Sequence, residues 1–160
     1  MAEVVQNSTS RMTNADLLAI ATYLKENASR TPTTVTALSA EDRRMVVGKA
    51  IYEDRCAPCH DSSGAGVATL FPRLANAPLV QATDATSLVR MVLIGNRAGA
   101  TAAAPTAPAM PAFGWNLNDQ EIADVLTYVR NAWGNAAQPV QPADVTKLRG
   151  RLQRNAAGGG

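Results

Sequence analysis

With 46% hydrophobic but only 4% aromatic side chains, a chain of 160 residues is long enough for one ordinary domain yet poor in the large groups that build a core. Its net charge of +2, with the signs interspersed, excludes the basic stripe of a nucleic-acid binder. No window approaches the about 20 apolar residues of a spanning helix, and the opening MAEVVQNSTSR has neither the basic nor the apolar region of a secretory signal.

The first predicted element is a helix over TNADLLAIATYLKEN, where Thr13 and Asp16 resemble a capping box and Leu17, Ile20, Ala21 and Leu24 form one apolar stripe. Residues 28–38, Thr-rich and containing Pro32, read as a linker. Ser39 is then expected to cap AEDRRMVVGKAIYEDRC, with Met45, Val46, Ile51 and Tyr52 on or near one face. Gly48 inside that helix costs about 1 kcal/mol against alanine, which points to close approach by another helix. Asp84 or Thr86 opens the short helix TSLVRMVLIGN, stopped near Gly95. Residues 96–116 carry no helix or strand pattern, and structureless loops beyond about 12–15 residues are usually functional or disordered. Asn118 and Glu121 set a capping box for DQEIADVLTYVRNAW, with Ile122, Val125, Leu126, Val129 and Trp133 facing inward. No strand run is persuasive, so the expected class is all-α.

A weak internal repeat emerges when Tyr23 is laid on Tyr128. Thr13 then falls on Asn118, Asp16 on Glu121, Leu17 on Ile122, Ile20 on Val125, Thr22 on Thr127 and Lys25 on Arg130. Two amphipathic helices can match by chance; the alternative is that residues 1–27 close a preceding copy of the same module.

Both cysteines, Cys56 and Cys59, and the one histidine, His60, stand within five consecutive residues. A structural zinc site needs four protein ligands, usually in two pairs, and no second pair exists. A thioredoxin-like dithiol would open a helix after a strand in an α/β fold, whereas this motif follows a helix and enters a Gly-rich loop. Covalent haem attachment accounts for every position: the two thiols add to the porphyrin vinyl groups, and His60 lies under the iron as proximal ligand. Haem would also supply the missing core and explain the long loop, which must wrap its second face.

With no second histidine, the distal candidates are methionine, lysine or an open position. Of the five methionines, Met45 and Met91 fall in helical patterns, and Met1 and Met12 precede the linker. Met110 lies in TAPAMPAFGW between Pro108 and Pro111, which restrict the backbone around it. A soft thioether suits iron and, opposite histidine, raises its reduction potential; the competing reading is simple loop packing. The imidazole's other nitrogen needs a carbonyl partner, for which Pro72 in FPRL is the candidate. Arg73 could pair with a haem propionate, or lie exposed.

Taken together, residues 40–135 resemble a class I cytochrome c domain: a helix with Gly48 and Tyr52, then Cys56, Cys59 and His60, then Pro72 and Leu74, then Met110, then a closing helix bearing Tyr128. AMPAFGWNLNDQEIADVLTYVRNAWGN and FPRLANAPLV are similar to the third haem domain of triheme cytochrome c subunits of membrane-bound quinoprotein alcohol and flavin-dependent gluconate and sorbitol dehydrogenases. MAEVVQNSTSRMTNADLLAIATYLK likewise resembles the end of their second haem domain, where a methionine at the place of Met1 would ligate a haem whose own motif is missing here. The resemblance implies one covalent haem c held by Cys56 and Cys59, with Pro72 and Leu74 in its pocket and His60 and Met110 on the iron. It further implies electron transfer from a dehydrogenase catalytic subunit, through other haem domains of the full-length subunit, to ubiquinone on the periplasmic side of the bacterial inner membrane. A family member should have three haem motifs and this chain has one, so the sequence reads as a C-terminal fragment or a truncated copy.

The expected organisation is therefore 1–27, the closing helix of a truncated domain; 28–38, linker; 39–135, cytochrome c domain; and 136–160, a basic tail. In the tail, Val145, Leu148 and Leu152 recur at helical spacing opposite Lys147, Arg149, Arg151 and Arg154. Three apolar residues over two turns bury little, which favours a frayed solvated segment over a membrane-surface or partner-docking helix. An electron carrier with no catalysis of its own is the reading; a five-coordinate haem enzyme or gas sensor and a haem-free interaction fragment are its competitors.

Overall fold

A computed structural model of the chain describes residues 2–27, 35–102 and 104–158. Met1 and residues 28–34 of the expected linker lie outside the described residues. In chain order the helices are α1 (Ala2–Asn7), α2 (Asn14–Glu26), α3 (Arg43–Arg55), α4 (Ala57–His60), α5 (Thr86–Ile94), α6 (Asp119–Val129) and α7 (Pro142–Ala157), with a 3-10 turn at Thr9–Arg11. Strand structure among the described residues is confined to β1 (Asn96–Arg97) and β2 (Ala109–Met110), which pair within the segment expected to be patternless.

The chain forms two compact units, one of Met1–Thr34 with Arg97–Ala109 and one of Val35–Asn96 with Met110–Gly160. In the first, Thr13 caps α2 by accepting from the Asp16 N–H at 3.2 Å, and its hydroxyl donates to the Asp16 carboxylate at 2.7 Å. None of the three helical segments of this unit buries a residue. The apolar stripe of α2 stands open, with Leu17 37%, Ile20 42% and Leu24 61% exposed.

The second unit holds the core. Gly48 on α3 faces α6 so closely that a Cβ there would lie 2.8 Å from the Tyr128 Cβ and nearer still to the Asp124 carbonyl oxygen. The approach predicted from that glycine is thus the α3–α6 crossing. Tyr52, fully buried, stacks its ring 5.5 Å from Tyr128 and 4.9 Å from Trp133. The α6 capping box forms as read: Asn118 accepts from the Glu121 N–H at 3.0 Å, and Glu121 accepts from the Asn118 N–H at 2.8 Å. Ile122, Val125, Leu126 and Val129 are buried, while Trp133, just past the helix, is half-buried.

Two expectations are corrected. The N-cap of α3 is Asp42 rather than Ser39. Its carboxylate accepts from the Arg44 N–H at 2.9 Å and from the Arg44 guanidinium at 2.9 and 2.7 Å, a charged acceptor that outcompetes a hydroxyl. Ser39 instead closes the preceding turn, its carbonyl taking the Asp42 N–H at 3.1 Å. The second correction concerns the tail, expected to fray. Most of it is α7, with Val145 and Leu148 buried against α5 and α6 and Leu152 packed at the edge. Pro142 opens the helix, where its missing N–H has no cost.

Two predictions follow from these contacts. Gly48→Ala forces the crossing apart and should cost about 1–3 kcal/mol in urea unfolding; an unchanged midpoint would show that the helices have room. Donation by the Arg44 side chain, then by its N–H, holds the Asp42 carboxyl down to about 2 from an ordinary 3.8. Because that pKa is depressed in the fold, its stabilisation is full above the unfolded value and is lost as pH falls through the folded one. Asp42→Ala should lower the thermal midpoint at neutral pH, with the gap to wild type closing as pH approaches 2.

Candidate functional site

The site begins where α3 ends. Cys56 is both the C-cap of α3 and the N-cap of α4, and its carbonyl accepts from the N–H of Cys59 at 3.1 Å and of His60 at 2.9 Å. One tight turn therefore carries both sulfurs and the imidazole. The Tyr52 hydroxyl fixes the end of that turn, donating to the Asp61 carbonyl at 2.6 Å. Asp61 takes a positive φ of 65°, held by its carboxylate accepting from the Ser63 N–H at 2.8 Å.

His60 Nδ1 lies 2.9 Å from the Pro72 carbonyl oxygen. A carbonyl only accepts, so Nδ1 carries the proton, and in the neutral ring Nε2 keeps the lone pair. The loop returns Pro72 to the histidine through Gly66, at φ +67°, where a Cβ would sit 2.7 Å from the Pro72 carbonyl. A bridge between Val67 and Phe71 folds the turn, and the Gly66 N–H donates to the His60 carbonyl at 2.9 Å. Leu74 is partly buried against the core, its carbonyl accepting from Asn135 Nδ2 at 3.1 Å. Arg73 is exposed.

Both cysteines are free thiols. Burial, with a smaller contribution from Cys59, pushes the Cys56 thiol up to about 11. A redox-active Cys-x-x-Cys needs the opposite, a thiolate favoured near neutral pH.

Met110 is the last residue of β2 and packs, partly buried, against the core. The segment after it is clamped to the end of α5: the Phe113 N–H donates to the Val92 carbonyl at 2.8 Å and the Gly114 N–H to the Leu93 carbonyl at 3.2 Å. These are orphan carbonyls of a helix terminus, satisfied here by the loop. Gly95, at φ +74°, allows the approach, since a Cβ there would come within 2.6 Å of the Met110 carbonyl. Of the other described methionines, Met45 is buried in the core, the Met91 sulfur accepts from Asn96 Nδ2 at 3.9 Å, and Met12 belongs to the first unit. Cys56, Cys59, His60, Pro72, Leu74 and Met110 all belong to the second unit.

The sequence reading missed a set of buried polar residues after α6. Arg130, 1% exposed, donates to the carbonyls of Val80, Ala82 and Gln138 at 2.9, 2.9 and 3.0 Å. Asn135 donates to Leu74 and Val129 and accepts from the Asn76 N–H at 2.8 Å. Asn131 accepts from the Leu38 N–H at 3.1 Å. Together they fasten the irregular 74–82 stretch and the approach to α3 onto the end of α6. The one hint was a polar run, RNAWGN, closing a strongly amphipathic helix.

A family model for cytochrome c matches residues 45–133, from α3 through Trp133. The chain belongs to the cytochrome c family. Its helices have the all-α class I arrangement, and Cys56-x-x-Cys59-His60 fits the attachment motif of the covalent haem c that the family implies. The chain is 41% identical over 159 residues to the cytochrome c subunit of the quinone alcohol dehydrogenase of Gluconacetobacter polyoxogenes, covering 93% of this chain and 34% of that protein. It is 40% identical over 160 residues to the gluconate 2-dehydrogenase cytochrome c subunit of Pantoea cypripedii, covering 93% and 36%. A fructose dehydrogenase cytochrome subunit of Gluconobacter japonicus matches at 29% over 178 residues, covering 93% and 36%. The chain thus spans about a third of the length of the curated relatives it matches. Among the described residues, no helix is long and apolar enough to cross a membrane.

Proposed function

We propose that the second unit is an electron-transfer module holding one haem c through thioether links to Cys56 and Cys59, with His60 and Met110 as the axial ligands. The observation that carries this reading is the hydrogen bond from His60 Nδ1–H to the Pro72 carbonyl, which leaves Nε2 free beside two free thiols on the same turn. The donor set fits the group: two unoxidised sulfurs at the attachment spacing, one oriented imidazole and one soft thioether on a clamped segment.

The bound haem would supply a one-electron iron couple, and the protein's residues would set its conditions. Pro72 holds the imidazole's tautomer and rotation. The backbone bonds of Phe113 and Gly114 to α5 position the Met110 segment, so that less backbone freedom would be lost when its thioether binds. Leu74 and the other half-buried apolar groups around the core, Ile51, Met91 and Phe113 among them, supply surface that a porphyrin can cover. A filled sixth position leaves no place for substrate, which favours a carrier over a haem enzyme or gas sensor.

The relatives' names extend the reading. We place the module in a cytochrome subunit that takes electrons from a dehydrogenase and passes them towards ubiquinone, on the periplasmic side of the inner membrane. Residues 1–27 we read as the closing helix of a preceding module. The exposed stripe of α2 supports this, because the α6 residues Ile122, Val125 and Tyr128 that correspond to Leu17, Ile20 and Tyr23 are buried.

Spectra of the chain, exported and matured, test the ligand set. Wild type should be low-spin and indifferent to carbon monoxide; Met110→Ala should lose the methionine–iron charge-transfer band, bind carbon monoxide and have a lowered potential. An unchanged spectrum in Met110→Ala refutes the sixth ligand, and a wild type that takes up carbon monoxide supports an enzyme or sensor instead. A colourless, poorly folded product would favour the haem-free fragment.

A further inference from the structure

The side chain of Arg149, on α7, is only 23% exposed, and its guanidinium spends its donors on three acceptors around one turn. Nε donates to Asp119 Oδ1 at 2.7 Å, Nη2 to the Leu117 carbonyl at 2.9 Å, and Nη1 to the Gly114 carbonyl. Thr146, one helical turn earlier, adds its hydroxyl to the second Asp119 oxygen at 2.5 Å. Burial works against the Asp119 carboxylate, but the hydrogen bonds from Thr146 and Arg149 and the charge of Arg149 outweigh it, so its pKa is held below the ordinary value.

Gly114 is consequently gripped on both sides, its N–H by the Leu93 carbonyl of α5 and its C=O by Arg149 of α7. No side chain would fit there, since a Cβ would lie 2.6 Å from the Leu93 oxygen and 3.2 Å from Nη1. Between Gly114 and Met110 stand only Pro111, Ala112 and Phe113, with the backbone restricted by the proline and the Phe113 N–H already held by Val92. Little slack separates the grip of Arg149 from the methionine.

We propose that α7 is the brace of the distal loop, with Arg149 a positioning residue that keeps Met110 on the iron; this rests on Met110 being the sixth ligand. Val145 and Leu148 anchor the helix, and Arg149 transmits that anchorage to the turn. A lysine cannot replace it, because a single ammonium cannot reach a carboxylate and two carbonyls in a fixed fork.

Two measurements on the matured chain separate this role from mere attachment of α7. The first is the rate at which added imidazole displaces the methionine from the ferric protein; the second is hydrogen exchange at the Phe113 and Gly114 amides. Arg149→Met should speed displacement about ten-fold, the equivalent of one charged hydrogen bond, and Arg149→Lys should restore little of it. Val145→Ala should lower the melting temperature yet keep the wild-type displacement rate. A wild-type rate in Arg149→Met, or equal acceleration in Val145→Ala, overturns the proposal. If Met110→Ala leaves the spectrum unchanged, the ligand reading is what fails. The brace itself is then judged by exchange: faster exchange at Gly114 in Arg149→Met upholds it, and unchanged exchange removes it.

Discussion

The crossing of α3 over α6, on which the second unit's frame depends, is made possible by an absent side chain. At Gly48 the backbone of α3 lies against the Asp124 carbonyl and the Tyr128 side chain of α6, closer than any Cβ would permit. The approach buries Tyr52 against Tyr128 and Trp133, and the Tyr52 hydroxyl then takes the Asp61 carbonyl, the residue directly after the motif. Through that chain of contacts, the helix crossing sets where Cys56, Cys59 and His60 stand. Trp133 extends it on the other side, donating from Nε1 to the Ser62 carbonyl at 3.0 Å.

Two irregular segments are then brought to this frame by different means. The stretch carrying Pro72 and Leu74 is tied by side chains, Asn135 and Arg130 reaching from the end of α6 to its carbonyls. The stretch carrying Met110 is tied by its own N–H groups to the open end of α5 and by Arg149 from α7. In both cases nearly every bond ends on backbone, so position is specified without much hydrophobic burial. That is how a chain with so few aromatic residues can place His60 and the Met110 segment; in the proposed module a porphyrin would provide the large apolar mass.

How far the sequence disclosed this depended on whether the cause was local. The capping boxes at Thr13 and Asn118 were legible because donor and acceptor are three residues apart. The close approach at Gly48 was legible because a glycine within a helical pattern has few other reasons to be there. The motif at Cys56, Cys59 and His60 was legible because its chemistry constrains spacing, whereas Met110 is proposed as a ligand only through elimination among five methionines. The start of α3 was misplaced by three residues, since the competition between Ser39 and Asp42 turned on Arg44, whose contribution is not a capping signal. α7 was misjudged for a deeper reason: its three apolar residues looked too few, and the acceptors that justify Arg149 lie in residues 114–119, about thirty positions away. Arg130, Asn131 and Asn135, hinted at only by the polar run RNAWGN, were missed for the same reason. Their partners are backbone N–H and carbonyl groups, many of them in loops, with no sequence signature.

A porphyrin joined to the protein by two carbon–sulfur bonds is the premise of the proposed module. The direct test is the intact mass of the exported, matured chain after denaturation and removal of free pigment, with Cys56→Ala and Cys59→Ala alongside. One haem mass retained on the wild-type polypeptide, with both thiols blocked to alkylation, is the predicted result, and each single variant should keep one link. A polypeptide of apoprotein mass with two reactive thiols, from cells that mature other c-type cytochromes, would contradict it.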